Sequence, residues 1–173
     1  MTNLGKLLAV GMVLAVSACT DAGRFGGADD GVTNSGPGSA TGIVPGSASD
    51  PTSVAFFQSA VGDRVLFEVN EHTLTAIGQQ TLTSQARWLG NNADYTAIIE
   101  GHADEQGTRE YNLALGARRA NAAREFLISQ GVAGNRLKTV SFGKERPIEI
   151  CSAEDCYSKN RRAVTVLAGG LSG

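Results

Sequence analysis

Residues 100–122 read E-G-H-A-D-E-Q-G-T-R-E-Y-N-L-A-L-G-A-R-R-A-N-A. A short apolar run precedes them, Tyr95 to Glu100 (Y-T-A-I-I-E), and reads as a strand. Gly101 to Arg109 is a polar loop, and Glu110 to Gln130 reads as a helix ended by Gly131. At 100° per residue, with Leu115 at 0°, Ala122 falls at roughly −20°, Phe126 at +20° and Tyr111 at −40°, one apolar arc. Arg119 falls at about +40°, inside that arc, with Arg118 at its edge near −60° and Arg124 in solvent near 180°. An unpaired arginine on a core-facing stripe is costly. Either Arg119 makes a structural ion pair or snorkels out at the end of the core, or it is an anion clamp. Asp104 supplies the complementary charge, one short loop away. Ligands in open α/β sheets bind beyond the carboxyl ends of strands. An aspartate and an arginine in one cleft suit a zwitterionic amino-acid end, with ammonium on the carboxylate and carboxylate on the guanidinium fork.

Working outward, Gly62-Asp63-Arg64 opens a turn, and Val65, Phe67 and Val69 alternate with Leu66, Glu68 and Asn70 as in a strand. Leu74, Ile77, Leu82, Ala86 and Leu89 follow helical spacing, and Gly90-Asn91-Asn92 ends that helix. Leu137 to Phe142 and Arg162 to Leu167 are two more strands. The order β-α-β-α-β-β predicts an α+β fold: a mixed four-stranded sheet with its helices on one face.

The N-terminal third does not belong to that unit. Lys6 and the ten-residue apolar run Leu7–Val16 read as a secretory signal over residues 1–18, too short for a membrane-spanning helix. Val16-Ser17-Ala18-Cys19 resembles a lipobox, which would make Cys19 a lipidation site; a plain signal cut near Ala18 is the other reading. Several acyl chains would make that anchoring stable. Residues 19–53 form the linker: rich in Gly, Ser and Ala, with Pro37, Pro45 and Pro51, it lacks apolar periodicity and is expected to be a disordered tether. Its four aspartates outweigh Arg24, whereas the domain over 54–173 is expected to be neutral. The pI of about 5.7 and formal charge of −2 argue against a nucleic-acid partner.

Among 173 residues there are three cysteines. Setting Cys19 aside leaves Cys151 and Cys156, for which an exported domain favours a short-loop disulfide over two thiols. His102 with Asp104 and Glu105 makes a poor metal site, being adjacent residues on one loop without a second His or Cys cluster, and His72 is isolated. No Ser or Cys has the surroundings of an activated nucleophile. A peptidoglycan-acting enzyme would have to use Glu100, Asp104 or Glu105, which are candidates only by residue type, so no catalytic residue is assigned.

Glu100–Ala122 resembles the peptidoglycan-binding signature of the OmpA-like family. The flanks agree: Val65-Leu66-Phe67-Glu68, Ser141-Phe142-Gly143-Lys144-Glu145-Arg146-Pro147, and Ser158-Lys159-Asn160-Arg161-Arg162-Ala163-Val164. The resemblance implies a non-enzymatic, non-covalent peptidoglycan anchor that grips the diaminopimelate of uncrosslinked stem peptides. Asp104 matches the family's aspartate for the ammonium, and Arg119 its arginine for the carboxylate. Asn112 and Leu115 fall in the same motif and would line or support the pocket. Phe67 and Glu68 match a strand-end segment that can offer backbone N–H groups, with Glu68 standing where an aspartate is expected. Together with the lipobox, the resemblance implies an outer-membrane lipoprotein facing the periplasm, with no cofactor beyond the lipid on Cys19. Thr20, where an aspartate would favour inner-membrane retention, agrees. The implied partners are peptidoglycan and the Tol system of envelope constriction and cell division, notably TolB. Display at the cell surface is left open by the sequence.

Overall fold

The computed structural model describes residues 42–169. The signal expected over 1–18, the lipidation site Cys19 and linker residues 20–41 lie outside the described residues. The fold begins with a short helix, α1 (Val54–Phe56), capped by the Ser53 hydroxyl, which accepts from the Phe56 N–H at 3.0 Å. A π-helical turn follows over Phe57–Gly62. Then come β1 (Arg64–Leu66), α2 (Ala76–Asn91), β2 (Tyr95–His102), α3 (Arg109–Ser129), a 3₁₀ turn at Gly134–Arg136, β3 (Leu137–Gly143), α4 (Glu154–Asn160) and β4 (Arg162–Gly169).

The four strands make one mixed sheet in the order β1-β4-β2-β3, with β4 antiparallel to both neighbours and β2 parallel to β3. Val65, Ala163, Ala97, Ile99 and Leu137 share one face by register and pack with Leu82, Leu89, Ala120, Ala123 and Leu127 of α2 and α3. This is the expected sheet with its helices on one face. The rings of Phe57, Trp88 and Tyr95 pack in series, tilted to one another, with centroids 4.9 and 5.1 Å apart. The Trp88 indole N–H donates to the Pro51 carbonyl at 2.8 Å, and the Tyr95 hydroxyl to that of Thr52 at 3.0 Å. The chain therefore joins the domain at the start of β2, and packed residues reach upstream of Val54.

Several elements differ from the periodicity. The first strand, expected to run to Val69, stops at Leu66. The Phe67 N–H still donates to Arg161 O, but Glu68–Glu71 then closes a turn with Asn70 at φ 58°. The helix expected from Leu74 starts two residues later, because the Thr75 hydroxyl accepts from the Gly78 N–H as N-cap. Strand β2 runs on to His102, through a bulge between Gly101 and His102. Helix α4 was not read from sequence. Its seven residues have no apolar stripe, only acids Glu154 and Asp155 in the first turn and Lys159 in the last.

The buried arc of α3 is also rotated from the expected one. Its buried residues are Asn112, Leu115, Gly116, Arg119, Ala120, Ala123 and Leu127, while Tyr111 is exposed. They centre roughly 80° round from Leu115 on the wheel, so Arg119, at about +40°, lies within the buried face, with Ala123 at its middle. The small residues there let the helix lie almost on the backbone of β2 at Gly101 and Gly116. Arg124, expected in solvent, is half-buried and donates to the carbonyls of Leu137 and Gly134 at 3.3 Å. Cys151 and Cys156 form a disulfide. Closing six residues contributes about 2 kcal/mol by loop entropy.

Candidate functional site

The site lies past the carboxyl end of β2, where residues 103–108 cross to the start of α3. The Thr108 hydroxyl caps α3 by accepting from the Tyr111 N–H, and Glu110 in the first turn suits the helix dipole. Gly107 takes φ +89°, and the Asn112 amide, buried one turn into α3, donates to the Gln106 carbonyl at 2.7 Å. Lys144 Nζ donates to the Gly107 carbonyl at 2.7 Å from the opposite side. The loop is thus shaped by its own helix and by the β3 end. Leu115 is buried on the same face of α3 as Asn112 and Arg119.

Arg119 is fully buried and its guanidinium is clasped by backbone. Nε donates to Glu71 O at 2.8 Å, Nη1 to His102 O at 2.8 Å and Nη2 to Glu68 O at 3.1 Å. Its charge also lies 5.2 Å from the centre of the Phe67 ring. Burial brings its pKa down to about 10, against the opposing pull of Asp104. Five guanidinium N–H groups are available, so two are left beyond these three bonds. Phe67 therefore offers its ring, its N–H being given to Arg161 O. Glu68 offers its carbonyl, its side chain being exposed.

Asp104 is held by a second arginine. Its Oδ2 pairs with Arg161 Nη1 at 3.1 Å, and its Oδ1 accepts from the Gln106 N–H at 3.3 Å. Arg161 also donates Nε to Phe67 O at 3.2 Å and Nη2 to Glu154 on α4. Against burial, the Glu154 and Asp104 hydrogen bonds raise its pKa above that of a free arginine. The site thus gathers Asp104, Arg119, Phe67 and Glu68 as the sequence suggested, and adds Arg161 and Glu154, which it did not. Arg161 falls in the flank 158–164 that carries the resemblance, next to Arg162 at the start of β4, but its spacing does not mark it as a site residue. A cleft of about 370 Å³ opens beside the site, lined by Phe67, Glu68, Thr75, Ile77, Ser158 and Arg161 among others.

His102 turns away from this cluster. Its ring is buried, stacks on Phe142 at 5.6 Å, and has Glu100 Oε2 3.6 Å from Nε2, beyond hydrogen-bond reach. Neither ring nitrogen finds a partner among the described residues. Burial first, then the charges of Arg162 and Arg146, lower its pKa to about 4. An unfolded histidine titrates near ~6.5, so this contribution to stability is complete above that pH. It is lost as pH falls from there towards 4, at up to about 1.4 kcal/mol per pH unit. The difference in urea stability between wild type and His102→Gln should therefore shrink over that window. Parallel pH profiles would remove His102 from the account. Among the described residues no three His, Cys, Asp or Glu side chains gather as metal ligands would.

The model of the OmpA family matches residues 66–161. A peptidoglycan-associated lipoprotein of Mesorhizobium japonicum is 49% identical over 172 residues, covering 99% of this chain and 96% of the relative. One from Pseudomonas aeruginosa is 36% identical, covering 94% and 96%. The crystal structure of the peptidoglycan-associated lipoprotein from Burkholderia pseudomallei superposes with a TM-score of 0.62 at 34% identity, covering 70% of this chain and 98% of that one. The C-terminal domain of Helicobacter pylori MotB shares the fold, with a TM-score of 0.59 at 21% identity over 63% of this chain and 86% of that one. The relatives named as lipoproteins are peptidoglycan-associated proteins rather than enzymes. With a family model over more than half its length and near-full-length relatives at close to half identity, the chain belongs to the OmpA family, among its peptidoglycan-associated lipoproteins.

Proposed function

We propose that this chain tethers the outer membrane to peptidoglycan without a covalent bond to it, by gripping the free end of diaminopimelate in stem peptides. Asp104 takes the ammonium, and Arg119 the carboxylate through its two uncommitted N–H groups. The observation that carries this reading is that Arg119, three turns into α3, donates to the His102 carbonyl at 2.8 Å, two residues before Asp104 on the loop beyond β2. Asp104 and Glu154 balance Arg119 and Arg161, so a zwitterionic end enters a neutral cluster without adding net charge. Arg119 is sealed by the exposed turn 68–71, which supplies two of its three carbonyl acceptors. The ligand carboxylate reaches the two free N–H groups when that turn moves aside. Asn112 and Leu115 support the loop and helix from below.

The likeness to peptidoglycan-associated lipoproteins supports a wider role within this reading. The anchor is the lipid on Cys19, the domain faces the periplasm, and the partner system is that of the Tol proteins, TolB in particular, during cell division. No cofactor takes part. Among the described residues no helix is long and apolar enough to cross a membrane. Sedimentation with purified diaminopimelate-type sacculi tests the grip. Asp104→Ala should weaken binding by at least tenfold, the effect of one lost charge-assisted pair in a buried site. Wild-type binding by that variant would overturn the assignment.

A further inference from the structure

The two ends of α4 are held differently. At its C-terminal end the buried Asn160 side chain accepts from the Ile148 and Glu149 N–H groups at 2.9 and 3.2 Å. It also donates to Glu149 O at 2.8 Å and to Glu105 Oε1 at 2.6 Å. The N-terminal end has Ala153 at the cap position, with no side-chain cap. A seven-residue helix does not hold its own first turn. Here that turn is tied down by the bond from Cys156 to Cys151.

Glu154 belongs to this stapled turn. Its side chain is 63% exposed, and it accepts from Arg161, whose side chain is 4% exposed. Arg161 reaches on to Asp104. A continuous line of contacts thus runs from the disulfide through Glu154 and Arg161 to Asp104. With Glu154 in place the Arg161 fork is shared between two carboxylates. Without it, the freed Nη2 has Asp104 as its nearest carboxylate partner. A second N–H on Asp104 would then compete with the incoming ammonium.

We propose that Glu154 is a positioning residue for the Asp104 site, held in register by the Cys151–Cys156 disulfide, so that the oxidised chain is the form that grips stem peptides tightly. This rests on the peptidoglycan reading above. Cys151 is exposed and open to thiol exchange. A dithiol reductant would deliver two electrons and two protons, breaking the S–S bond, leaving two thiols and itself becoming a disulfide. Asn160 would keep the C-terminal end of α4 in place, and the turn bearing Glu154 would loosen.

The test uses the full chain in detergent micelles with diaminopimelate-type sacculi. It compares the oxidised wild type with Glu154→Gln, the double variant Cys151→Ser/Cys156→Ser, the triple variant, and Asp104→Ala. Glu154→Gln and the cysteine-free chain should each bind roughly three- to tenfold more weakly, the modest size reflecting the exposure of Glu154. The triple variant should be no worse than the cysteine-free one, and dithiothreitol should bring the wild type to the same level. The Arg161 Nε–H signal in NMR should exchange faster with water in both variants, which a general loss of stability would not single out. If Glu154→Gln and the cysteine-free chain bind like the oxidised wild type while Asp104→Ala does not, the proposal fails and the binding site stands. If Asp104→Ala also binds normally, the site assignment fails and the proposal with it.

Discussion

Gly101→Ala is expected to destabilise the domain by more than ~3 kcal/mol, the largest effect of any single methyl group in this fold. A Cβ at Gly101 would overlap the Gly116 carbonyl oxygen and sit 2.6 Å from its carbon. Both are backbone atoms of α3, so no side chain can turn aside, and the helix must lift from the sheet. Lifting α3 moves Arg119 away from the His102 carbonyl and Asn112 away from the Gln106 carbonyl. The site should be lost with the packing. Gly90→Ala in α2 is the matched control, with nothing within 4 Å of an added Cβ. There the change should be neutral or stabilising by up to about 1 kcal/mol through helix propensity. Urea unfolding of the two variants settles the matter; equal stabilities would mean that the close approach of α3 to β2 is not a constraint.

Arg119→Lys should behave as a severe substitution despite keeping the charge. Three carbonyls on two different segments, at residues 68 and 71 of one turn and at 102 ending β2, are satisfied by one planar fork. A lysine ammonium is a compact point donor and cannot span them. At least one carbonyl loses its partner, and a more strongly hydrated charge is buried. Together these cost about 3 kcal/mol, or roughly 10 °C in Tm for a domain of this size. Sacculus binding should fall by more than tenfold, because the two N–H groups left for a ligand carboxylate disappear with the fork. Thermal unfolding followed by circular dichroism, with sedimentation well below Tm, separates the two losses. An unchanged Tm would show that the guanidinium is not the clasp between β1, β2 and α3.

What could be read from sequence was what local pattern encodes. The order of strands and long helices, the loop after β2 and the presence of Arg119 on a buried face all follow from periodicity and turn residues within a few positions. The direction of burial on α3 did not, because Gly101 and Gly116 define it by meeting across the fold. The acceptors of Arg119 lie up to 51 residues away, and the Arg161–Asp104 pair is separated by 57. No helical wheel contains such partners. Helix α4 leaves no periodic signal because it is held by a disulfide and the Asn160 side chain rather than by an apolar stripe.

The place where the chain enters the domain has a mechanical consequence. Pro51 and Thr52 are bound at Trp88 and Tyr95, by the first residue of β2, and Asp104 lies just past its last. Eight residues of strand separate these points, roughly 25 Å along the sheet. A load applied between the N-terminal arm and a ligand at Asp104 therefore runs parallel to the strands. The chain passes from residues 51–52 to β1, so the β1–β4 and β4–β2 ladders that link it to β2 are pulled in shear, with their rungs sharing the force, whereas a pull across the sheet would open them one after another. The geometry that sets residues 51–52 and Asp104 at opposite ends of β2 is also the one in which a small sheet best resists being torn apart.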